Sequence, residues 1–175
     1  MAERNEDKPV FKGLTWQRGE HFSLFVPNDW HEYPWPDGRE GRLFRPPQAE
    51  AGVILAVEVK DLGFSPQAED KEALEEGFLE GIKVLEGAVI EEHKSWVVGS
   101  LICLEAKYRY VEGREVKRWA RALYHKSHQI SFIAQAPSTE SFDYWLPMFY
   151  EAMMTSRSHD TKRSLHQPAL HQGPS

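Results

Sequence analysis

The sequence of 175 residues contains a single cysteine, Cys103, and no long apolar segment. One cysteine cannot form an internal disulfide, which excludes a disulfide-stapled secreted scaffold. The longest purely apolar run covers residues 53–57, whereas a membrane-spanning helix needs roughly 20 apolar residues. The charged segment Met1–Lys8 lacks the apolar core of a signal peptide. These absences predict a cytoplasmic protein without a membrane span.

The sequence also has no excess of positive charge, since its net charge is −6. Nucleic-acid binding needs a basic face, so no nucleic-acid partner is predicted. Hydrophobic residues make up 41% and aromatic residues 12% of the chain, which is enough to fill one core. We therefore expect a loose N-terminus over residues 1–10, a single domain over 11–157 and a disordered tail over 158–175.

Motifs that carry catalytic chemistry are likewise absent. Gly77, Gly81 and Lys83 lack the spacing of a phosphate loop, and we interpret the two glycines as small residues that let a helix approach a sheet. Glu91 and Glu92 are adjacent on a predicted strand and should point to opposite faces, so they do not form an acid–base pair. No serine stands in a nucleophile elbow. The sequence predicts neither enzyme activity nor a cofactor.

The single thiol leaves two interpretations open. In the predicted strand pairing, His125 lies diagonally next to Cys103 on one face, and a Cys–His pair could activate a thiolate. The alternative is a small buried hydrophobic side chain, the commoner role of a free cysteine. His125 and His128 flank a turn, and His166 and His171 lie in the tail, but none of them completes a metal-ligand set. No metal site is predicted.

Hydrophobic periodicity predicts an α+β domain. The strands are expected over residues 14–18, 22–26, 42–45, 53–62, 89–98, 101–111, 116–125 and 130–136. The proline-rich segment 27–39 is expected to be a structured loop. One helix should begin at Ser65-Pro66 and end at Gly87, with Leu74 on its apolar stripe. A second should run from about Ser138 to Arg157, with Pro147 in it as a kink or in a first turn near Asp143.

The pairing of the longest strands can be predicted from side-chain alternation. A three-residue turn at Glu112–Arg114 sets Glu105 opposite Arg121 and keeps apolar residues together on the other face. A two-residue turn would mix charged and apolar side chains on both faces. The three-residue turn is therefore expected.

Two surfaces are candidates for binding a partner. The first is the loop that contains Tyr33 and Trp35, since exposed aromatic side chains often anchor a partner; Trp30 should instead be core. The second is an aromatic and basic sheet face, which contains Lys107, Arg109, Lys117, Trp119 and Arg121. The alternative for this face is a packed tryptophan surrounded by long side chains whose charged ends reach solvent.

Several segments resemble the PsbP-like fold group. They are residues 22–30 (FSLFVPNDW) and 129–137 (QISFIAQAP), followed by Phe142, Leu146-Pro147 and Phe149. That group includes the photosystem II extrinsic protein PsbP, a yeast Ran-binding import factor and bacterial relatives of unknown function. The resemblance spans roughly residues 14–157. It implies a three-layer α/β/α sandwich with a central, mostly antiparallel sheet of about six or seven strands, and no enzyme activity.

The function that these observations favour is a non-enzymatic protein-binding or chaperone-like module with a protein partner. Members of one fold group differ widely in function, so the resemblance alone does not name the partner. A small-molecule binder or enzyme that uses the sheet face near Cys103 remains an alternative, and so does a structural subunit of an assembly. The oligomeric state does not follow from the sequence.

Overall fold

A seven-stranded antiparallel sheet forms the centre of the fold. The computed structural model describes residues 8–159. The elements in chain order are β1 (Leu14–Arg18), β2 (Phe22–Pro27), β3 (His31–Tyr33), β4 (Gly41–Arg45), β5 (Ile54–Asp61), a 3₁₀ turn (Ala68–Asp70), α1 (Lys71–Lys83), β6 (Val89–Val98), β7 (Leu101–Glu112), β8 (Arg114–His125), β9 (His128–Ala136), α2 (Thr139–Thr155) and β10 (Arg157–Ser158). The large sheet has the order β3-β4-β5-β9-β8-β7-β6, and β1, β2 and β10 form a small sheet.

The strands from β6 to β9 form a meander whose register follows the predicted alternation. Glu105 pairs with Arg121, and Glu112 pairs with Arg114 across Gly113, which has a φ of 73°. This positive φ is readily adopted by glycine, so the turn fixes the register as predicted. β9 then pairs with β5 and joins the two halves of the chain in one sheet.

The two faces of the large sheet are covered by different layers. α1 packs on β6 and β7, where its apolar stripe buries Ile82 beside Ala106 and Tyr108. α2 and β2 cover the opposite face, where Phe142 and Phe149 belong to the largest core cluster. The fold is α+β and sandwich-like, as predicted. Its third layer combines a helix with the small sheet.

α1 begins later than expected, whereas α2 begins where the sequence predicted it, directly after Ser138. α1 begins at Lys71, because the chain after Ser65-Pro66 first makes a 3₁₀ turn in which the Asp70 carboxylate accepts a hydrogen bond from the backbone N–H of Gln67 at 2.7 Å. α2 begins at Thr139, and the Ser138 hydroxyl accepts a hydrogen bond from the Ser141 N–H at 3.0 Å. Pro147 therefore lies inside the helix, not in a first turn near Asp143.

Two further boundaries differ from the sequence predictions. The expected loop 27–39 contains β3, whose three residues are too few to show alternation but pair with β4. Arg157, the expected end of the last helix, and Ser158, the expected start of the tail, pair with β2 as β10. The His159 N–H donates to the His21 carbonyl at 2.9 Å. Residues 1–7 and 160–175 lie outside the described part, so the loose N-terminus and the rest of the tail stay predictions.

Candidate functional site

The expected sheet face lies against α2, and its centre is buried. Trp119 is 2% exposed and Arg121 is 8% exposed, so neither side chain can reach a partner unless α2 moves away. The Lys107 ammonium lies 4.5 Å from the centre of the Trp119 ring, and Tyr150 of α2 packs near the same ring at 6.5 Å. The expectation that Trp119 and Arg121 form an open binding surface is therefore not met. The packed-tryptophan alternative describes this face.

Arg121 instead joins the sheet to the end of α2. Its Nε and one terminal nitrogen lie 2.9 and 2.8 Å from Glu105 Oε2, and the other terminal nitrogen donates to the Met153 carbonyl at 2.8 Å. Because Glu105 is only 4% exposed, the carboxylate and the guanidinium neutralise each other in the interior. The guanidinium carbon also lies 5.7 Å from the centre of the Trp96 ring.

The remaining basic residues of this face are paired with carboxylates. Arg109 Nε lies 2.8 Å from Glu91 Oε1, and Lys117 Nζ lies 3.2 Å from Glu91 Oε2. Lys107 lies 4.0 Å from Glu92. A β-bulge between Ile90 and Glu92 turns both glutamates towards the basic side, so the prediction of opposite faces is wrong. These contacts leave little free positive charge on this face.

The aromatic segment lies at the β3 edge of the large sheet. Trp30 is core, as expected, and Trp35 is more exposed than Trp30 but half-buried. The Trp35 Nε1–H donates to the Val57 carbonyl at 3.0 Å. Gly41 permits this contact, because a Cβ there would lie 1.9 Å from the same oxygen. Trp35 therefore fixes the segment, and Tyr33, which is 43% exposed, presents its ring to solvent.

Two open clefts flank the segment that follows β4. A cleft of about 440 Å³ lies beside Tyr33 and Arg45, whose guanidinium carbon is 5.1 Å from the centre of the tyrosine ring. A second cleft of about 890 Å³ is lined by α2 residues that include Tyr144 and Trp145. Residues 48–50 line both clefts. Gln48 has a φ of 56°, which is uncommon for a residue other than glycine and marks a constrained backbone.

The structure favours the structural interpretation of Cys103. The side chain is 3% exposed and faces Leu123 on one neighbouring strand and Trp96 on the other. Burial raises the pKa of the Cys103 thiol to about 11, although the Arg121 guanidinium acts in the opposite direction. A thiol with this pKa is protonated at neutral pH and is a poor nucleophile.

Within residues 8–159, potential metal ligands come together at one place that the sequence did not indicate. Glu20, His21 and Glu40 each offer one ligand atom, and these atoms lie within 4.8 Å of one another at the surface. Glu40 is brought there from a distant turn, so no local spacing could have revealed the group. His21 also stacks on His128 with ring centres 4.0 Å apart. Three surface ligands alone do not define a metal site. The tail histidines lie outside the described residues.

The helix glycines do not have the role expected for them. Gly77 and Gly81 are exposed on α1, and nothing lies within 4 Å of the Cβ position of either residue. They therefore do not bring α1 closer to the sheet. Among the helices in residues 8–159, none is long and apolar enough to cross a membrane.

Comparisons with solved structures establish the class of fold. No protein-family model matches the sequence, and no curated protein sequence is significantly similar to it. The solution structure of cyanobacterial PsbP from Synechocystis matches with a TM-score of 0.59 at 12% identity, covering 86% of this chain and 95% of that one. The chain therefore has a PsbP-like fold, as the resemblance predicted.

Two further structures share this fold. A Pseudomonas aeruginosa protein of unknown function has a TM-score of 0.55 at 14% identity, covering 81% of this chain and 94% of that one. The Saccharomyces cerevisiae Ran-binding protein Mog1p has a TM-score of 0.52 at 9% identity, covering 86% and 98% respectively. At these identities the likeness shows the fold alone, because one fold hosts many functions.

Proposed function

We propose that this protein is a non-enzymatic protein-binding module whose partner docks at the aromatic edge formed by Tyr33, Trp35 and the segment 46–52. The observation that carries the proposal is the position of Tyr33. Its exposed ring lines one of two open clefts that share residues 48–50. Aromatic side chains beside such clefts commonly anchor protein partners.

The shape of the two clefts favours a protein segment over a small ligand. Their volumes of about 440 and 890 Å³ both fall within the roughly 300–1,000 Å³ of small-ligand sites, so volume alone does not separate the two kinds of ligand. They are open, however, and polar groups such as Glu50, Glu140 and Asp143 line them. A compact ligand would be buried on few sides, whereas an extended segment could lie across both clefts. Mog1p, which has this fold, is described as a Ran-binding protein and is compatible with a binding role.

An enzyme that uses the Cys103 face has less support than the protein-binding role. The thiol is buried and protonated at neutral pH, and α2 covers the surrounding sheet. The basic residues Lys107, Arg109 and Lys117 stay candidates for partner contact, but only at the rim where their side chains reach solvent. Their carboxylate partners reduce the attraction they could offer.

Site-specific photocrosslinking would test the aromatic edge. A photoreactive phenylalanine at position 33 should form a covalent adduct with the same cellular protein that co-purifies with the unmodified protein. The matched control is the same substitution at Tyr150, which is 53% exposed on α2 and lies away from both clefts. Adducts from position 150 but not from position 33 would exclude this edge as the docking surface.

A further inference from the structure

The opposite edge of the large sheet has an uncovered strand. β6 pairs with β7 on one side, and on its other side no strand within residues 8–159 pairs with it. An edge strand presents a row of unpaired N–H and C=O groups, on which another extended segment can add. The bulge at Ile90 and Glu92 interrupts the start of this edge. Residues 92–98 form the regular part that can accept a partner.

An acidic cleft runs along one side of this edge. It has a volume of about 530 Å³, and it is lined by α1 and by Ser95 of β6. Four glutamates and two lysines line it, namely Glu72, Glu75, Glu76, Glu80, Lys71 and Lys83. Glu75 contacts the Ser95 hydroxyl and His93, and Glu80 pairs with Lys83. The side-chain carboxylates of Glu72 and Glu76 have no hydrogen-bonding or ionic partner among the described residues.

The other side of the same edge combines two apolar residues, Trp96 and Val98, with Glu92 and Lys94, whose ammonium lies 5.6 Å from the centre of the Trp96 ring. Trp96 and Val98 lie opposite Cys103 and Leu101, which face the core beneath α2. Trp96 is half-buried, and Val98 is 63% exposed. The two sides of β6 thus offer different chemistry. Carboxylates of α1 line one side, and on the other side Trp96 and Val98 provide apolar surface next to Lys94.

We propose that β6 accepts an extended segment of a partner protein as an eighth strand, and that this segment alternates basic and apolar side chains. Successive side chains of a strand point to opposite faces. An added strand would therefore direct one set towards Glu72 and Glu76 and the other set alongside Trp96 and Val98. Because β3 and β6 are opposite edges of the sheet, this site does not depend on the proposed aromatic edge.

A second copy of the chain fits this edge less well. Antiparallel pairing of β6 with itself requires a twofold axis perpendicular to the sheet, which leaves the two α1 helices on the same face. The acidic clefts of both copies would then face each other. Like charges that are brought together in this way disfavour the pairing. Charge complementarity therefore favours a basic partner over a symmetric dimer.

Synthetic peptides of the length of β6 provide the first test. The full-length protein, labelled with ¹⁵N, is titrated with a peptide of alternating lysine and valine and with a peptide of alternating glutamate and valine. The lysine peptide should slow amide hydrogen exchange at alternate residues within 92–98, because every second N–H of an edge strand points outward. The glutamate peptide should bind at least tenfold more weakly. Equal binding of the two peptides, or unchanged exchange in 92–98, would overturn the proposal.

N-methylated peptides separate strand pairing from simple charge attraction without any change to the protein. One lysine–valine peptide is methylated at every lysine amide and another at every valine amide. Each set of N–H groups lies on one edge of the peptide, so at least one methylated peptide should lose affinity tenfold or more. If both bind as tightly as the parent peptide, no strand is added.

Variants of the protein test the carboxylates. Glu72→Gln together with Glu76→Gln should weaken the lysine–valine peptide about fivefold, since each exposed ion pair changes affinity only modestly. The matched control, Glu20→Gln with Glu112→Gln, changes two exposed carboxylates that line neither the α1 cleft nor the clefts of the aromatic edge, and it should leave the affinity unchanged. Equal effects of both pairs would overturn the assignment to the α1 cleft. Slow exchange in 92–98 that depends on protein concentration without peptide would show that another copy occupies the edge, and would also overturn the proposal.

Discussion

The two edges of the large sheet differ in what they offer to another molecule. β3 has three residues and is followed by Pro34 and Pro36, whereas β6 has ten residues and no proline. Proline and short length prevent further strand pairing, so β3 can present side chains but little backbone. β6 presents a row of backbone groups, and charged residues and a bulge lie near its start. One sheet thus combines an edge suited to side-chain recognition with an edge suited to main-chain pairing.

The interior contacts that support each edge differ as well. The β3 edge depends on a close approach between Trp35, Gly41 and the Val57 carbonyl. On the β6 side, the Arg121–Glu105 ion pair lies beneath α2 and next to Trp96. Substitutions at these two places should therefore affect stability for different physical reasons.

The largest effect is expected on the β6 side. Arg121→Met should destabilise the protein by about 3–5 kcal/mol, because it leaves the Glu105 carboxylate buried without its main partner. Urea unfolding at neutral pH measures the change. The double variant Arg121→Met with Glu105→Met should lose clearly less than the single variant. If both variants lose the same amount, the uncompensated charge is not the cause.

The second-largest loss of stability is expected from a substitution at the β3 edge. Gly41→Ala should cost about 2–4 kcal/mol, because a Cβ would meet the Val57 carbonyl oxygen at 1.9 Å and the φ of 141° is strained for alanine. The matched control is Gly38→Ala in the same segment, where φ is 73° and nothing lies within 4 Å. It should cost only about 1 kcal/mol. Thermal unfolding that ranks the two variants the other way would contradict the close approach.

A smaller change should result from the loss of one hydrogen bond. Trp35→Phe keeps an aromatic ring but removes the N–H that donates to the Val57 carbonyl. The expected cost is about 1 kcal/mol, measured by chemical unfolding. Tyr33→Phe, which changes an exposed side chain, serves as a control and should leave the stability nearly unchanged. A loss of the same size in both variants would mean that the indole N–H does not anchor the edge.

The smallest change should be a gain in stability next to the β6 edge. Gly77→Ala should stabilise the protein by about 0.5–1 kcal/mol, since an exposed glycine inside a helix raises the entropy of the unfolded chain and no neighbour obstructs a Cβ. Ala73→Gly, at another exposed position of α1, should lower stability by a similar amount. Loss of stability in Gly77→Ala would show that the residue makes a contact that its surroundings do not indicate.

The sequence predicted those parts of the fold that depend on local alternation. The Glu112–Arg114 turn gave the correct pairing of Glu105 with Arg121, because a shift of one residue would have moved every side chain to the wrong face. Helical periodicity likewise placed Leu74 on the apolar stripe of α1, and Leu74 packs against a buried cluster of the sheet. Some predicted partner contacts stay predictions, namely those of Tyr33, Trp35, Lys107, Arg109 and Lys117.

Features that depend on distant contacts could not be predicted in this way. Trp119 and Arg121 alternate with basic residues in the sequence, and only the position of α2 shows that they are buried. The bulge at Glu91 adds one residue to a strand whose pattern otherwise looks regular. Gly77 and Gly81 lie on α1, whose rotation about its own axis is set by Leu74, Phe78 and Ile82.

The pairing of β10 with β2 has a consequence for the order of folding. Ser23 and Phe22 lie near the beginning of the described chain, and their partners Arg157 and Ser158 follow the last helix. The small sheet cannot be completed until nearly the whole domain has been synthesised. Such non-local pairing has a large loop-closure entropy and slows folding relative to proteins with local contacts. During synthesis, the side of β2 that pairs with β10 therefore has no strand partner until residue 158 has emerged.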